Sequence, residues 1–323
     1  MGGFSAVLGQ TGAGAILQSA LESGRIAHAY LFAGPRGVGK GLTAEVFARA
    51  LNCAAHEDRP CDRCLPCQKA LNGNHPDILW LKPAGSSFKI EQVRELQRTV
   101  HAKVYEGRHK VIVLEDSHKA TTQAANSLLK TLEEPPGSTV FILLSENPQT
   151  LPPTILSRCQ RVNFAPLDNR LISEVLRQRQ LGRAEDRELA VSLAGGSLGR
   201  AIEYMQDQKV FVLRQRAIEF IQACLGKNYY RRYKITESLE KDKLDVALFF
   251  EHMLLLLRDV YLGRNGQGQG RAGIPEALEQ TGLDAESIGL ALQVVLDGVE
   301  LQRKQANTKL LLDVIGCRLA RLA

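Results

Sequence analysis

The sequence contains 323 residues, of which 44% are hydrophobic and 24% charged, and its formal net charge is +6. The length predicts two or three domains, the composition excludes a disordered chain, and the charge is too small to indicate nucleic-acid binding by itself. The sequence has neither eighteen consecutive uncharged apolar residues nor a basic stretch before an apolar run at its N-terminus, which predicts a cytoplasmic protein without a membrane span or signal peptide.

Four short apolar runs in the first half predict the buried strands of a parallel sheet. They are Ala29–Phe32, Ile78–Leu81, Val111–Leu114 and Val140–Leu144, and helical patterns lie between them. A parallel sheet requires such helical crossovers. One predicted helix, Thr121–Glu134, is stopped by two consecutive prolines. Residues 1–166 are therefore predicted to form an α/β domain.

A glycine-rich segment between the first strand and the next helix matches the phosphate-binding pattern GxxxxGK. Its candidate nucleotide-binding residues are Gly34, Gly37, Gly39, Lys40 and Gly41. Backbone N–H groups of such a loop wrap phosphate oxygens, and the lysine reaches the terminal phosphates. The alternative is a glycine-rich turn with an incidental lysine. The pattern predicts a site for ATP or ADP.

The same loop departs from the pattern at the position that normally ligates Mg²⁺. Gly41 replaces the usual serine or threonine, so the magnesium-binding hydroxyl is missing. Thr43 cannot replace it, because two residues along a helix correspond to a rotation of about 200°. We expect impaired Mg²⁺ coordination and inefficient hydrolysis.

Four closely spaced cysteines predict a structural zinc module. Cys53, Cys61, Cys64 and Cys67 follow the spacing C-x7-C-x2-C-x2-C, which can direct four thiolates onto one tetrahedral Zn²⁺. Four sulfur ligands leave no open position for a substrate, so a structural role is favoured over a catalytic one. Free or redox-active thiols are the alternative, and His56 within the loop is a further candidate ligand. The other three cysteines are scattered.

Two acidic residues, Glu115 and Asp116, follow the strand Val111–Leu114. Carboxylates at this edge of a parallel sheet, beside a phosphate-binding loop, normally hold the magnesium shell and polarise the attacking water. The usual order is aspartate then glutamate, so the inverted pair leaves the second side chain one methylene short. We interpret it as a degenerate Walker B motif; two solvated carboxylates are the alternative.

After Pro166 the strand patterns largely disappear. Residues 167–207 predict a small domain of short helices, with a break at Gly195 and Gly196, and residues 208–323 predict a helical C-terminal domain.

Several segments, read in order, resemble the AAA+ subunits of bacterial clamp loaders. They are Val7–Gln10, His28–Lys40, the cysteine group, Ala125–Pro136 and Leu151–Cys159, and the last contains the Ser-Arg-Cys motif of that family. The resemblance is specific over about residues 5–165, weaker to residue 207, and beyond that rests on helical character alone. It implies an AAA+ P-loop domain (1–166) with a zinc module (53–67), a helical lid (167–207) and an oligomerisation, or collar, domain (208–323).

The resemblance also implies a role for Arg158 in catalysis. In this family that residue would be an arginine finger, which acts in trans on the γ-phosphate bound by a neighbouring subunit. A planar, permanently charged guanidinium suits the charge that develops during phosphoryl transfer. The implied partners are the gamma/tau and delta subunits of the DNA polymerase III clamp loader, the sliding clamp and primer–template DNA, within the replisome at the nucleoid.

The sequence departs from the ATP-hydrolysing members at several positions. Besides Gly41 and the inverted acidic pair, the sensor-1 region reads Ser145-Glu146-Asn147, and the sensor-2 arginine is displaced by one residue to Arg200, with Gly199 in its place. These departures, with an intact Ser-Arg-Cys motif, are typical of the stationary subunit of the loader. Its own ATP hydrolysis is then expected to be weak or absent. A gamma/tau-type ATPase motor is the alternative, and the cysteines and the Ser-Arg-Cys motif argue against an unrelated P-loop enzyme such as a nucleotide kinase.

Basic residues on one predicted helix leave two interpretations open. Arg94 and Arg98 lie four residues apart, and Lys103 and Arg108 follow. Such a row could contact DNA phosphates. It could equally be a solvated face on which the arginines pair with Glu91 and Glu95.

Overall fold

The computed structural model describes residues 3–322, except for residues 56, 86, 208, 243 and 266–282. The chain divides into two compact units, the first containing Met1–Ile172 and Gly196–Arg200, and the second containing Ser173–Gly195 and Ala201–Ala323. The domain boundaries at residues 166 and 207 remain a prediction. Among the described helices, none is long and apolar enough to cross a membrane.

The first half of the chain alternates strands and helices, as predicted. In chain order its elements are α1 (Thr11–Ser23), β1 (Ala29–Ala33), α2 (Lys40–Asn52), α3 (Leu65–Leu71), β2 (Ile78–Leu81), α4 (Ile90–Val100), β3 (Lys110–Leu114), α5 (Thr122–Glu133), β4 (Thr139–Ser145), α6 (Pro153–Leu156) and β5 (Gln160–Asn163). The five strands form one parallel sheet in the order β2-β3-β4-β1-β5. The predicted α/β class with a parallel sheet is therefore confirmed.

Both faces of this sheet are covered by helices, which explains why the central strands are continuously apolar. On β1, Tyr30 and Phe32 join one core cluster with residues of α1 and α2, whereas Leu31 joins a second cluster with residues of α4 and α5. Successive side chains of a strand point to opposite faces, so a strand buried on both sides needs apolar residues at every position. The sheet thereby positions its carboxyl-terminal edge, where the candidate site lies.

The second half of the chain is helical in its described part. The elements are α7 (Asn169–Gln178), α8 (Ala184–Ala194), α9 (Leu198–Gln206), α10 (Lys209–Leu225), α11 (Tyr229–Lys241), α12 (Val246–Arg264), α13 (Ala285–Arg303) and α14 (Thr308–Ala320). The core of the second unit is built from α10 to α14 and includes Phe220 and Phe249, whose rings meet edge-on at 5.7 Å between centroids. The prediction of a helical C-terminal region is confirmed.

Candidate functional site

The predicted phosphate-binding loop connects β1 to α2 and depends on glycine at two positions. Gly37 and Gly39 have φ angles of 73° and 107°, which lie in the left-handed region that favours glycine. A Cβ atom on Gly37 would also lie 2.3 Å from the Ser197 Oγ. The loop leads directly into the first turn of α2, whose N–H groups have no acceptor within the helix.

Gln10 connects this loop to the segment that follows β5. Its buried side-chain amide donates to the carbonyl oxygens of Val38 (3.1 Å) and Ala165 (2.7 Å), and its Oε1 accepts from the Ala165 N–H (3.2 Å). The sequence identified Gln10 only through the resemblance of the segment Val7–Gln10. The structure gives it a physical role, because one side chain ties the loop to the chain that follows β5.

Gly199, at the predicted sensor-2 position, packs closely against the phosphate-binding loop. The Gly199 N–H donates to the Gly37 carbonyl oxygen at 2.8 Å, and a Cβ atom on Gly199 would lie 2.8 Å from the Gly37 Cα. Such a distance is shorter than any normal carbon–carbon contact, so this approach excludes a side chain at residue 199. An arginine at that position would require the loop to move.

Lys40 folds back on its own loop. Its Nζ donates to the carbonyl oxygens of Gly34 (2.6 Å) and Pro35 (2.7 Å), and its side chain is buried. Burial lowers the pKa of Lys40, while the carboxylates of Glu146 and Asp116 act in the opposite direction. A bound phosphate would therefore have to compete with two backbone carbonyls for this ammonium group.

A cleft of about 630 Å³ opens beside the loop. This size is typical of small-molecule sites. The residues that line it are Arg36, Gly37, Gly39, Lys40, Gly41, Leu42, Glu115, Asp116, Lys119, Leu144 and Glu146. None of these lining residues, in the part of the chain that the structure describes, carries a hydroxyl group. Three of them are cationic and three anionic, so their formal charges cancel.

Thr43 and Ser145 place their hydroxyl groups away from this cleft. Thr43 is fully buried, and its Oγ1 donates to the Gly39 carbonyl oxygen at 2.9 Å, as expected for the far side of the helix. Ser145, in the predicted sensor-1 region, is also fully buried, and its Oγ has no hydrogen-bond partner among the described residues. The donor set beside Gly41 therefore does not fit the usual magnesium site of a P-loop.

Each carboxylate of the acidic pair already has a lysine partner. Glu115 lies 3.2 Å from the Lys82 Nζ, and Asp116 lies 2.7 Å from the Lys119 Nζ. Asp116 also adopts a left-handed conformation, with φ 48° and ψ 41°. Both side chains are partly exposed, so these pairs contribute little stability. They do partly neutralise the charges that would otherwise attract a cation.

Arg158 lies outside the lining of the cleft, just after the short helix α6. Its guanidinium pairs with Glu133 of α5 at 2.7 Å and donates to the Thr154 carbonyl oxygen at 2.9 Å. The side chain is about one-third exposed. The guanidinium is therefore available at the surface, and its ion-pair partner is itself half-exposed.

The four predicted cysteines converge between α2 and α3. Their sulfur atoms all lie within 4.8 Å of one another, and Cys53 and Cys64 are 3.9 Å apart. Zinc–sulfur bonds of about 2.3 Å in a tetrahedron place sulfur atoms about 3.8 Å apart. The donor set therefore fits Zn²⁺. His56, the additional candidate ligand, lies outside the described residues.

Backbone N–H groups point at two of these sulfur atoms. The Cys61 N–H donates to the Cys53 sulfur, and the Cys64 N–H to the Cys61 sulfur, each at 3.4 Å. N–H groups of Arg63 and Cys64 lower the pKa of Cys61 to about 6, whereas burial raises the pKa values of Cys53 and Cys67. Cys61 therefore favours the thiolate form even without a metal, and thiolate is the form that binds zinc.

Asp62 connects this cysteine cluster to the rest of the first unit. Its carboxylate pairs with the buried Arg49 of α2 at 2.9 Å and accepts from the Gly3 N–H at 2.9 Å. The cluster is therefore joined to the N-terminal segment and to the helix that begins at the phosphate-binding loop.

The basic residues on and after α4 are exposed. Arg94 and Arg98 form no salt bridge within the described chain, so the predicted alternative of pairing with Glu91 and Glu95 is not realised. Contact with DNA remains a prediction.

Two buried polar side chains hold the loop that carries Lys103 and Arg108. The carboxylate of Asp77 accepts from the N–H groups of residues 105, 106 and 107 at 2.7–2.9 Å. The Asn52 Oδ1 accepts from the Arg108 N–H at 2.8 Å and from the next N–H at 2.9 Å. Neither role could be predicted from the sequence, because each partner is more than twenty residues away.

We expect Asp77→Asn to lower the free energy of unfolding by about 2 kcal/mol at neutral pH. An amide cannot accept all three N–H groups, and hydrogen bonds to a charged group contribute about 1.5–3 kcal/mol each. Burial alone would raise the pKa of Asp77, but these N–H groups hold the pKa below its usual value. The stabilisation is therefore present above the unfolded-state pKa of about 3.9 and disappears as the pH falls through the lower folded-state pKa.

Urea denaturation of both proteins across the acid range measures this difference. The gap between wild type and Asp77→Asn should be widest at neutral pH and should narrow below about pH 4. A gap that is the same at all pH values would show that the carboxylate charge is not responsible.

Comparisons with known proteins agree on one family. A model of the family described as "DNA polymerase III, delta subunit" matches residues 9–168. The delta' subunit of DNA polymerase III from Bacillus subtilis is 31% identical over 248 residues, which cover 76% of this chain and 75% of that protein. The tau subunit of the same organism is 31% identical over 288 residues, which cover 82% of this chain. The chain spans about half the length of that tau subunit (51%).

A solved structure has the same fold. A DNA polymerase III gamma subunit-related protein from Thermotoga maritima superposes with a TM-score of 0.58, covering 94% of this chain and 98% of that one. The two sequences are only 15% identical, so this likeness bears on the fold alone.

Proposed function

This chain belongs to the family of AAA+ clamp-loader subunits of bacterial DNA polymerase III, and we propose that within it the chain is a delta-prime-type subunit. In this proposal it is the stationary member of the loader. It supplies Arg158 to the ATP site of a neighbouring subunit while the sliding clamp is placed on primed DNA. Its partners are then gamma/tau and delta subunits, in the cytoplasmic replication machinery at the nucleoid.

The observation that carries this proposal is a contrast between the chain's own nucleotide cleft and Arg158. The chain's own cleft offers no hydroxyl beside Gly41, and Glu115 and Asp116 are each paired with a lysine. Arg158, in contrast, is accessible and held only by surface contacts. A subunit with these properties can complete the ATP site of a neighbouring subunit without hydrolysing ATP at its own site.

The cleft nevertheless supports the binding of a nucleotide. The N–H groups at the start of α2 and the ammonium group of Lys40 would hold the phosphates of ATP or ADP. The negative charge of the phosphates would be stabilised by these N–H groups and by the ammonium group. Because the lining charges of the described cleft cancel and its donors do not fit Mg²⁺, we assign no hydrolytic step to this site.

We further propose that Cys53, Cys61, Cys64 and Cys67 hold one structural Zn²⁺. All four ligand positions would be filled by sulfur, so the ion would stabilise the connection between α2 and α3 and take no part in a reaction. The link through Asp62 to Arg49 would carry this stabilisation into α2.

Contact with primer–template DNA is proposed for the row formed by Arg94, Arg98, Lys103 and Arg108. All four side chains are exposed, and the loop beyond α4 is held by Asp77 and Asn52. Such residues would contact phosphates, which position a protein without reading sequence.

A gamma/tau-type motor is the second candidate, because the left-handed glycines of the loop and Lys40 are retained. ATP turnover by the purified chain, with and without primed DNA, separates the two. We expect turnover close to the uncatalysed background in both conditions, because the magnesium-binding groups are missing or paired. Robust turnover by the isolated chain would favour the motor and overturn the stationary role.

A companion variant tests the cause. Gly41→Ser restores the missing hydroxyl, and we expect it to make nucleotide binding depend on Mg²⁺, whereas binding by wild type should be similar with Mg²⁺ or with a chelator. Turnover should stay low in the variant, since the acidic pair is unchanged.

A further inference from the structure

The first turns of α11 carry an unusual group of exposed tyrosines. Tyr229, Tyr230 and Tyr233 are 61%, 73% and 42% exposed, although their rings are largely apolar. Together they are three of the seven tyrosines in the chain, within five residues. We call these three residues the tyrosine patch. It lies in the second unit, and the proposed function makes no use of it.

Each ring of the tyrosine patch has a cation beside it. The guanidinium carbon of Arg232 lies 5.1 Å from the ring centroid of Tyr229, and the Lys309 Nζ lies 5.3 Å from that of Tyr233. The Lys234 Nζ lies 6.0 Å from the centroids of both Tyr230 and Tyr233. These distances are within the range of cation–π interactions. The patch therefore combines exposed aromatic rings with adjacent positive charges.

The ring of Tyr229 rests on a side chain that cannot move freely. Arg232 is buried, and its Nη2 donates to the Cys317 sulfur at 3.5 Å. Its stem lies so close to α14 that a Cβ atom on Gly316 would be 2.4 Å from the Arg232 Cδ. Because the Gly316 backbone and the Cys317 sulfur restrict Arg232, the tyrosine patch has a rigid, positively charged base.

The local charge is strongly positive. Arg232, Lys234 and Lys309 lie beside the rings. Among the described residues, the one ion pair that these three cations form is between Lys234 and Glu237, at 2.9 Å. A surface of this kind is complementary to an anion that also has flat aromatic groups.

We propose that the tyrosine patch binds single-stranded DNA. Bases would stack on the exposed rings, and the phosphates would contact Lys234 and Lys309. This combination of stacking platforms and cations is how proteins bind single strands without sequence preference. The four-residue separation of Tyr229 and Tyr233 places their backbones about 6 Å apart along the helix, which allows successive bases to use different rings.

The test measures binding of the full chain to a fluorescein-labelled dT20 oligonucleotide by fluorescence anisotropy at low salt. The double variant Tyr229→Ser, Tyr230→Ser should bind at least about 25-fold more weakly, since each lost stacking interaction corresponds to fivefold or more. The double change to phenylalanine keeps the rings and should bind like wild type. Tyr261→Ser, which removes a 36% exposed ring from α12, is the matched control and should have no effect.

The dependence on salt tests the contribution of the cations. Lys309→Ala should reduce the slope of log affinity against log salt by about 0.7, the value for one phosphate contact on a single strand. The proposal is overturned if wild type does not bind dT20, or if the double serine variant binds it equally well. It is also overturned if that variant keeps its DNA affinity but no longer associates with gamma/tau or delta subunits, because the patch would then be a protein interface.

Discussion

Arg158→Ala is expected to abolish ATP-dependent clamp loading by a reconstituted loader while leaving the fold of this chain intact. An arginine finger accelerates phosphoryl transfer by about 10³–10⁵-fold, so its removal should reduce ATP hydrolysis at the neighbouring site to near background. The contacts of Arg158 within the chain are with Glu133, Thr154 and Ser157, all at the surface. Surface ion pairs contribute about 0–1 kcal/mol, so thermal unfolding should change little.

Single-turnover ATP hydrolysis and clamp loading on primed DNA are the measurements. Arg158→Lys keeps the charge but loses the planar fork, and it should remain strongly impaired. Glu133→Gln is the matched control, because it removes the ion-pair partner within the chain and leaves Arg158 in place. If the loader containing Arg158→Ala were as active as wild type, the role in trans would have to be abandoned.

The pair between Arg158 and Glu133 is compatible with such a role because it is weak. A finger must leave its resting contacts when a neighbouring triphosphate approaches. Both side chains are partly exposed, at 34% and 48%, so releasing the guanidinium costs about 1 kcal/mol or less. Glu133→Gln should therefore leave turnover by the loader unchanged or slightly higher, and never as low as in Arg158→Ala.

The sequence predicted the central strands well because they are buried on both faces. β1, β3 and β4 consist of buried residues and appear as apolar runs, with polar residues (Lys110, Thr139 and Ser145) only at the strand ends. β5 was missed for the opposite reason. It reads Gln160-Arg161-Val162-Asn163, only Val162 is buried, and the strand lies at the edge of the sheet. β2 lies at the opposite edge but keeps the apolar sequence Ile78–Leu81, whereas the exposed positions of β5 carry polar residues and its sequence does not differ from that of a loop.

The candidate site was predictable where the signal is local. The phosphate-binding loop and the four cysteines lie in short segments, and the structure brings each group together as expected. The lysine partner of Glu115 could not be predicted in the same way, although that of Asp116, Lys119, is only three residues away. Lys82 follows β2 and Glu115 follows β3, so their contact depends on the pairing of two strands that are distant in sequence. The packing of Gly199 on Gly37 likewise depends on the fold alone.

Removal of zinc is expected to have the second large effect, this time on stability. An ion that binds only the folded state stabilises it by about 4 kcal/mol at a free concentration a thousand times its dissociation constant. For a unit of this size, 1 kcal/mol corresponds to about 2–4 °C, so a strong chelator should lower the Tm by about 10 °C. Metal analysis of the purified chain should give one zinc per molecule.

Cys61→Ser is the variant that isolates the effect of the metal from that of packing. Cys53 and Cys67 are fully buried, so replacing either would disturb the core as well as the ligand set, whereas Cys61 is only partly buried. The variant should lose zinc and show the unfolding temperature of the chelated wild type, and a chelator should then have no further effect on it. Cys317→Ser, outside the cluster, should keep both zinc and stability. If wild type contained no zinc and Cys61→Ser unfolded at the same temperature, the four thiols would be free cysteines, and Asp62 with Arg49 would have to hold this segment without a metal.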